Sequence, residues 1–169
     1  MPHRETRSVN PPLPTGWRRL AARTPVFLFR AGLGPVMGGR FLLLHHVGRR
    51  TGLDRQAVLE VVAHEAPSRS WTVAAGFGPA SDWFRNLRAH PKTVIQSGNR
   101  HHAVTAVFLS ADEGSDIMAE YARRHPRAAR RLCGFLGLPT DRGESSYREA
   151  GRAIPFVRLE AFDPQHPLR

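Results

Sequence analysis

Three arginines and two glycines fall close together in Gly48-Arg49-Arg50-Thr51-Gly52-Leu53-Asp54-Arg55. Guanidinium forks match phosphate and carboxylate oxygens, and glycine lets the backbone turn tightly against a ligand. The stretch reads as an anion cradle. A basic hairpin tip in solvent is the plainer reading, and the loop alone leaves both open. A second stretch, Ala75-Gly76-Phe77-Gly78, runs into a helix start at Ser81. Free backbone N–H groups and a positive dipole end suit a phosphate or a ring carbonyl, although a tight strand-to-helix turn needs the same glycines. The third is Asp82-Trp83-Phe84-Arg85-Asn86-Leu87-Arg88. Trp83 can wall a flat ring and Asn86 can hydrogen-bond its edge. The alternatives are core packing for Trp83 and a solvated Asn86.

These stretches need rigid supports. Phe41–Val47 and Ala57–Val62 are short, largely apolar runs bounded by glycine, so they read as strands flanking the arginine loop. Residues 70–75 make a third strand. A helix from Ser81 runs to about Ala89, burying Trp83, Phe84 and Leu87, and His90-Pro91 ends it. Strands over 93–97 and 100–109 meet at Gly98-Asn99, a hairpin signal. Ser110-Ala111-Asp112-Glu113 is a capping box opening a helix to about His125. A strongly basic helix follows over 127–136, then one or two helical turns over 145–151 and a last strand over 154–160. Five or six mostly antiparallel strands with late helices predict an α+β fold, a small closed β structure with helical flanks. No Gly-x-Gly-x-x-Gly joins a strand to a helix, which argues against a dinucleotide fold.

Composition narrows the classes. The chain has 169 residues, 41% of them hydrophobic, enough for one domain with a real core. The division expected is a disordered tail over 1–15, one cofactor-sized domain over 16–162 and a tail over 163–169. Gly32 to Gly39 reads as a flexible connection. No apolar run suffices to span a bilayer and no signal-peptide core is present, so a cytoplasmic protein is expected. Residues 17–31 form a basic amphipathic segment interrupted by Pro25; packing on the barrel is preferred to contact with a membrane. Net charge is +11, yet Lys92 is the sole lysine among 25 basic residues. Such arginine bias reflects a GC-rich genome as readily as selection for binding. The arginines at 123, 124, 127, 130 and 131 lack interleaved aromatics, so no nucleic acid is expected. His45-His46 and His101-His102 lie on strands, where neighbours face opposite sides, so no metal is expected. Cys133, the only cysteine, reads as a packed thiol.

Taken in order, Leu42-Leu43-Leu44-His45-His46-Val47-Gly48-Arg49-Arg50-Thr51-Gly52, Val73-Ala74-Ala75-Gly76-Phe77-Gly78, Asp82 to Pro91 and Ala153-Ile154-Pro155-Phe156-Val157-Arg158-Leu159-Glu160 resemble the deazaflavin (F-420)-dependent nitroreductase/quinone reductase family. The resemblance covers roughly residues 38–160. It implies a split β-barrel related to FMN-binding pyridoxamine-phosphate oxidases. It also implies a bacterial oxidoreductase that uses the reduced 8-hydroxy-5-deazaflavin cofactor, coenzyme F-420, in preference to FMN. The implied cofactor contacts are Gly48, Arg49, Arg50, Thr51, Gly52, Arg55, Ala57, Ala75, Gly76, Phe77, Gly78, Trp83 and Asn86. Arg49 and Arg50 match positions for the cofactor's phosphate, and Arg55, placed nearer the rim, its oligoglutamate tail. The cofactor itself carries hydride, so no catalytic triad is expected. Some family members have a longer loop with a lysine where this chain has Phe77 and Pro79, and carry C-terminal tyrosines of which only Tyr147 has a counterpart here. Tyr147 is the candidate on the acceptor side.

The leading expectation is hydride transfer to a small electron-poor acceptor: a quinone, a nitro compound or an activated double bond. A non-catalytic cofactor-binding protein is the second reading, and a basic nucleic-acid binder the third. Either a monomer or a homodimer is compatible with the sequence.

Overall fold

The computed structural model describes Gly32 and residues 34–162. The tail over 1–15, the basic segment over 17–31 and the tail over 163–169 lie outside the described residues. Six strands form the body: β1 (Phe41–Val47), β2 (Asp54–Glu65), β3 (Ser70–Ala74), β4 (Lys92–Ser97), β5 (Arg100–Phe108) and β6 (Phe156–Ala161). They close into a barrel in the order β1-β2-β3-β6-β5-β4, with every pairing antiparallel. Closure is made by β1 on β4, with Leu42 opposite Ser97 and Leu44 opposite Ile95. Four helices flank it: α1 (Asp82–Ala89), α2 (Ala111–Arg124), α3 (Pro126–Phe135) and α4 (Glu144–Ala153). This is the antiparallel barrel with flanking helices that the sequence predicts.

Alternation along the strands fills the barrel. Leu42 and Leu44 point inward with Leu59, Val73, Ile95, Val157 and Leu159, and Phe84 and Leu87 of α1 pack against the same cluster. A second cluster holds α2, α3 and α4 on the barrel through Val62, Ile154 and Phe156. The pairing of β2 with β3 shifts between Val61 and Ala63. Beside it, Val61 packs in the barrel cluster and its neighbour Val62, facing the other side of the strand, in the helical one. Cys133 is buried in the helical cluster, and burial pushes its thiol up to about 11.

Two helices meet through glycine. At Gly114 of α2 an added Cβ would stand 2.5 Å from the Gly151 carbonyl oxygen, and at Gly151 of α4 one would stand 2.3 Å from the Gly114 oxygen. The backbones therefore approach to a distance that no larger residue permits. The capping box at the start of α2 is formed: Ser110 Oγ accepts from the Glu113 N–H, and the Ser110 N–H donates to Glu113 Oε2 at 2.9 Å.

Several boundaries differ from expectation. β2 runs from Asp54 to Glu65 instead of over 57–62. Its polar ends do not look like strand, but Asp54, Arg55 and Gln56 pair with Val47, His46 and His45. Backbone pairing is indifferent to their side chains. The expected flexible connection is wound into 3-10 turns over Gly34–Arg40, kinked at Gly38. α4 spans Glu144–Ala153, longer than predicted, with Arg148 bonded to Glu144 one turn back.

Candidate functional site

The arginine loop is a tight turn between β1 and β2. The Gly48 N–H donates to the Leu53 carbonyl at 2.8 Å, and the Gly52 N–H to the Gly48 carbonyl at 2.7 Å. A Cβ on Gly48 would lie 2.5 Å from Thr51 Oγ1, and Gly52 takes a left-handed φ of 67°. Gly52 therefore needs glycine, and a larger residue at Gly48 would have to displace the Thr51 side chain. The N–H groups of both glycines are satisfied inside the turn, so the loop presents side chains more than backbone.

Asn86 ties that loop to α1. Its Oδ1 accepts from the Arg49 backbone N–H at 3.1 Å and from Arg49 Nη1 at 3.0 Å. Its Nδ2 lies 2.9 Å from His46 Nδ1. Arg49 Nη1 also donates to Asp82 Oδ1 at 3.2 Å. Asn86 is therefore buried, not solvated, and bonded within the protein at both its amide oxygen and its amide nitrogen, so it holds the loop. Likewise one of the three guanidiniums expected for an anion is already paired. Among the described residues, Arg50 and Arg55 make no side-chain hydrogen bond or ion pair.

A groove of about 1500 Å³ opens beside this network. Its walls include His46 of β1, Arg55, Ala57 and Leu59 of β2, Gly76 and Phe77, then Ser81, Asp82 and Trp83 at the start of α1, and Ala128, Arg131, Leu132 and Phe135 of α3. Lys92 stands exposed at its border. Trp83 is half-buried and packs edge-on to Phe84, with ring centroids 5.7 Å apart. Phe77 meets Phe135 edge-to-face at 5.4 Å, and Phe135 is 57% exposed. These two rings make an apolar patch in the groove wall.

The start of α1 faces the same space. Ser81 precedes the helix without capping it by its side chain; its hydroxyl donates to the Gly78 carbonyl at 2.9 Å. The first N–H groups of α1 therefore keep their dipole end unmet by a serine oxygen. Gly78 has a φ of 73° and is buried, so the turn there does require glycine. At Gly76 an added Cβ would meet nothing within 4 Å.

Of the residues named from sequence, the groove brings together Arg55, Ala57, Gly76, Phe77 and Trp83. Gly48, Arg49, Arg50, Thr51, Gly52, Ala75, Gly78 and Asn86 form the loop, turn and tie behind or beside it. Tyr147 is not among the wall residues; it packs in the helical cluster. Arg55 is the second residue of β2 and lines the groove, whereas Arg50 lies in the turn outside the groove's walls; both are exposed, and Arg49 is the more buried of the three. The early start of β2 places Arg55 on the strand.

Sequence reasoning missed His46 and the wall supplied by α3. His46 was weighed only as half of a metal pair. Burial, helped by the positive charge of Arg55 and opposed by Asp82, pushes its imidazole down to about 4. It is therefore neutral at physiological pH. For α3, the only available signal was the apolar spacing of Ala128, Leu132 and Phe135, which marks a face without saying what it covers. Among the described residues no group of three His, Cys, Asp or Glu side chains could hold a metal ion, and no helix is long and apolar enough to cross a membrane.

Comparison with known proteins follows the same line. The family model of the F420H(2)-dependent quinone reductases matches residues 24–132. A putative F420H(2)-dependent quinone reductase of Mycobacterium tuberculosis is 36% identical over 74 residues, which is 43% of this chain and 60% of that protein. The chain thus matches about 60% of the length of that curated relative. Among solved structures, a conserved hypothetical protein of Mycobacterium tuberculosis has a TM-score of 0.52 at 14% identity, covering 79% of this chain and 80% of its own. A protein of unknown function from Agrobacterium tumefaciens has a TM-score of 0.51 at 16% identity, covering 89% of this chain and 58% of its own. Those two share the fold. With the family model spanning well over half of its residues, the chain belongs to the F420H(2)-dependent quinone reductase family.

Proposed function

We propose that the protein binds the reduced 8-hydroxy-5-deazaflavin cofactor F-420 in this groove and passes its hydride to a small electron-poor acceptor, with a quinone the first candidate. The observation that carries the reading is an unengaged guanidinium, Arg55, in the wall of a groove that Trp83 and Phe77 also line, with Arg50 unengaged in the turn that leads into the same strand. Anionic and flat aromatic parts of one ligand find their matching surfaces side by side there.

The donor set fits the cofactor. Arg55, on the strand, would hold the phosphate, with the open dipole end of α1 beside it. Arg50, at the turn's tip, would reach the acidic tail. Trp83 and Phe77 would flank the ring, and Asn86 would keep Arg49 and the loop in place. When bound, the deazaflavin supplies the hydride chemistry; the protein binds, orients and shields. The apolar wall of Leu132, Phe135 and Phe77 suits an aromatic acceptor or its apolar substituent.

The test is a titration with oxidised F-420, followed by assay of the reduced form against quinones, nitroaromatics and activated alkenes. Binding followed by acceptor-dependent oxidation supports the reading. Binding without turnover on any acceptor favours a non-catalytic cofactor-binding protein, a second reading that the position of Tyr147 away from the groove supports. No binding of either form overturns both.

A further inference from the structure

We infer that His46 is a fixed, uncharged hydrogen-bond donor to the same phosphoryl oxygens that Arg55 serves. This rests on the proposed binding of a phosphorylated deazaflavin in the groove.

Asn86 fixes the orientation of the contact to His46. Its Oδ1 accepts from two Arg49 donors, so the amide cannot be turned round without losing both bonds. Its Nδ2 must then face His46 Nδ1 at 2.9 Å. A donor there makes Nδ1 the acceptor, and a neutral imidazole accepting at Nδ1 carries its proton on Nε2. Nε2 has no hydrogen-bond partner among the described residues, yet it is not among the buried polar atoms left unpaired. It therefore reaches open space, and the space that His46 lines is the groove.

Its neighbour defines the ligand group. His46 is the direct cross-strand partner of Arg55, and both line the groove. Partners of this kind stand about 5 Å apart at Cβ. A cationic fork beside a neutral N–H donor suits an oxyanion with two or more oxygens, a phosphate ester before a planar ring carbonyl. The other titratable groups around the imidazole are Asp82 of α1 and His45 on its own strand, with Arg49 reached through Asn86. Burial keeps the ring neutral despite Asp82. It therefore acts as a donor and not as a proton source.

The experiment uses the full chain and two probes, tailless phosphorylated deazaflavin and its dephosphorylated nucleoside. His46→Phe is expected to weaken the phosphorylated probe by roughly tenfold or more, the loss of one donor to a charged group, and leave the nucleoside unchanged. His46→Gln retains an N–H near the Nε2 position and should bind within about threefold of the parent on the same scale. Imidazole 15N spectra of the parent should show the Nε2–H tautomer, held as pH falls to about 5. Equal losses for both probes, or none, overturn the inference, as does an Nδ1–H tautomer or an imidazole titrating at its ordinary value. If the parent binds neither deazaflavin, the proposed function fails separately. Inorganic phosphate titrated against the labelled parent then decides the point, since a shift at His46 Nε2–H upholds the oxyanion assignment and its absence ends it.

Discussion

Asn86 accepts two hydrogen bonds from Arg49, one from the backbone and one from the guanidinium, across 37 residues of sequence. The arginine loop and the Trp-x-x-Asn helix are thus one mechanical unit, and the motif's asparagine is its fastener.

Removing that fastener should cost stability. Asn86→Ala leaves the Arg49 N–H and His46 Nδ1 without partners, at ~1–3 kcal/mol by the usual penalty for a buried unmatched group. Urea unfolding of the variant should show this loss. Asn86→Asp can still accept from Arg49 but offers His46 no proton, so His46 should take one itself and titrate well above its value in the parent. Histidine NMR reads that shift.

His46 also sets a pH dependence. Its folded value lies near 4 against 6.5 for an ordinary histidine, so the unfolded chain takes up the proton first. Above pH 6.5 neither state is charged and the group adds no slope. As pH falls from 6.5 to about 4, stability drops toward a total of at most ~3 kcal/mol from this site. Denaturation midpoints of the parent and His46→Gln across that window should converge at the acid end if His46 is responsible. Parallel curves would place the acid sensitivity elsewhere.

The two open arginines should separate by ligand and by salt. A phosphate contact at Arg55 is worth ~1.5–3 kcal/mol, so Arg55→Ala should weaken tailed and tailless cofactor alike. An exposed ion pair at Arg50 is worth ~0.2–1 kcal/mol and is screened, so Arg50→Ala should weaken the tailed form alone and lose its effect at high salt. Titrations of both variants at two ionic strengths would expose the opposite assignment if the roles are exchanged.

Gly151→Ala should destabilise the helical layer. The new methyl would collide with the Gly114 carbonyl and the Ser115 backbone, and neither is the movable end of a side chain. Overpacking of this kind costs ~1–3 kcal/mol. Thermal unfolding of Gly151→Ala beside Gly134→Ala, where a Cβ meets nothing within 4 Å, checks the contrast.

Much of the barrel was legible because its signals are local. The short apolar run of Phe41 to Val47, the Gly98-Asn99 hairpin and the Ser110–Glu113 capping box each depend on neighbours in sequence. The ordered motifs carried the family. What stayed hidden depends on contacts between distant elements. Nothing in Asp54-Arg55-Gln56 marks a strand until β1 lies beside it, so the early start of β2 has no local signal. Asn86 looked free because its partners are an arginine and a histidine far back in the chain. Tyr147 sits one short loop from groove-lining α3, yet its helix packs it into the other cluster. His46 carried no motif at all.

Lys92 stands at the border of the groove in a chain whose other cations are guanidiniums. Apart from the chain's α-amino group, it is the only primary amine in the molecule. Amine-selective acylation or reductive alkylation will therefore report on a single internal position. A fluorophore or crosslinker placed there needs no engineered attachment point and looks into the groove, so the native protein already carries its own addressable handle for watching a ligand arrive.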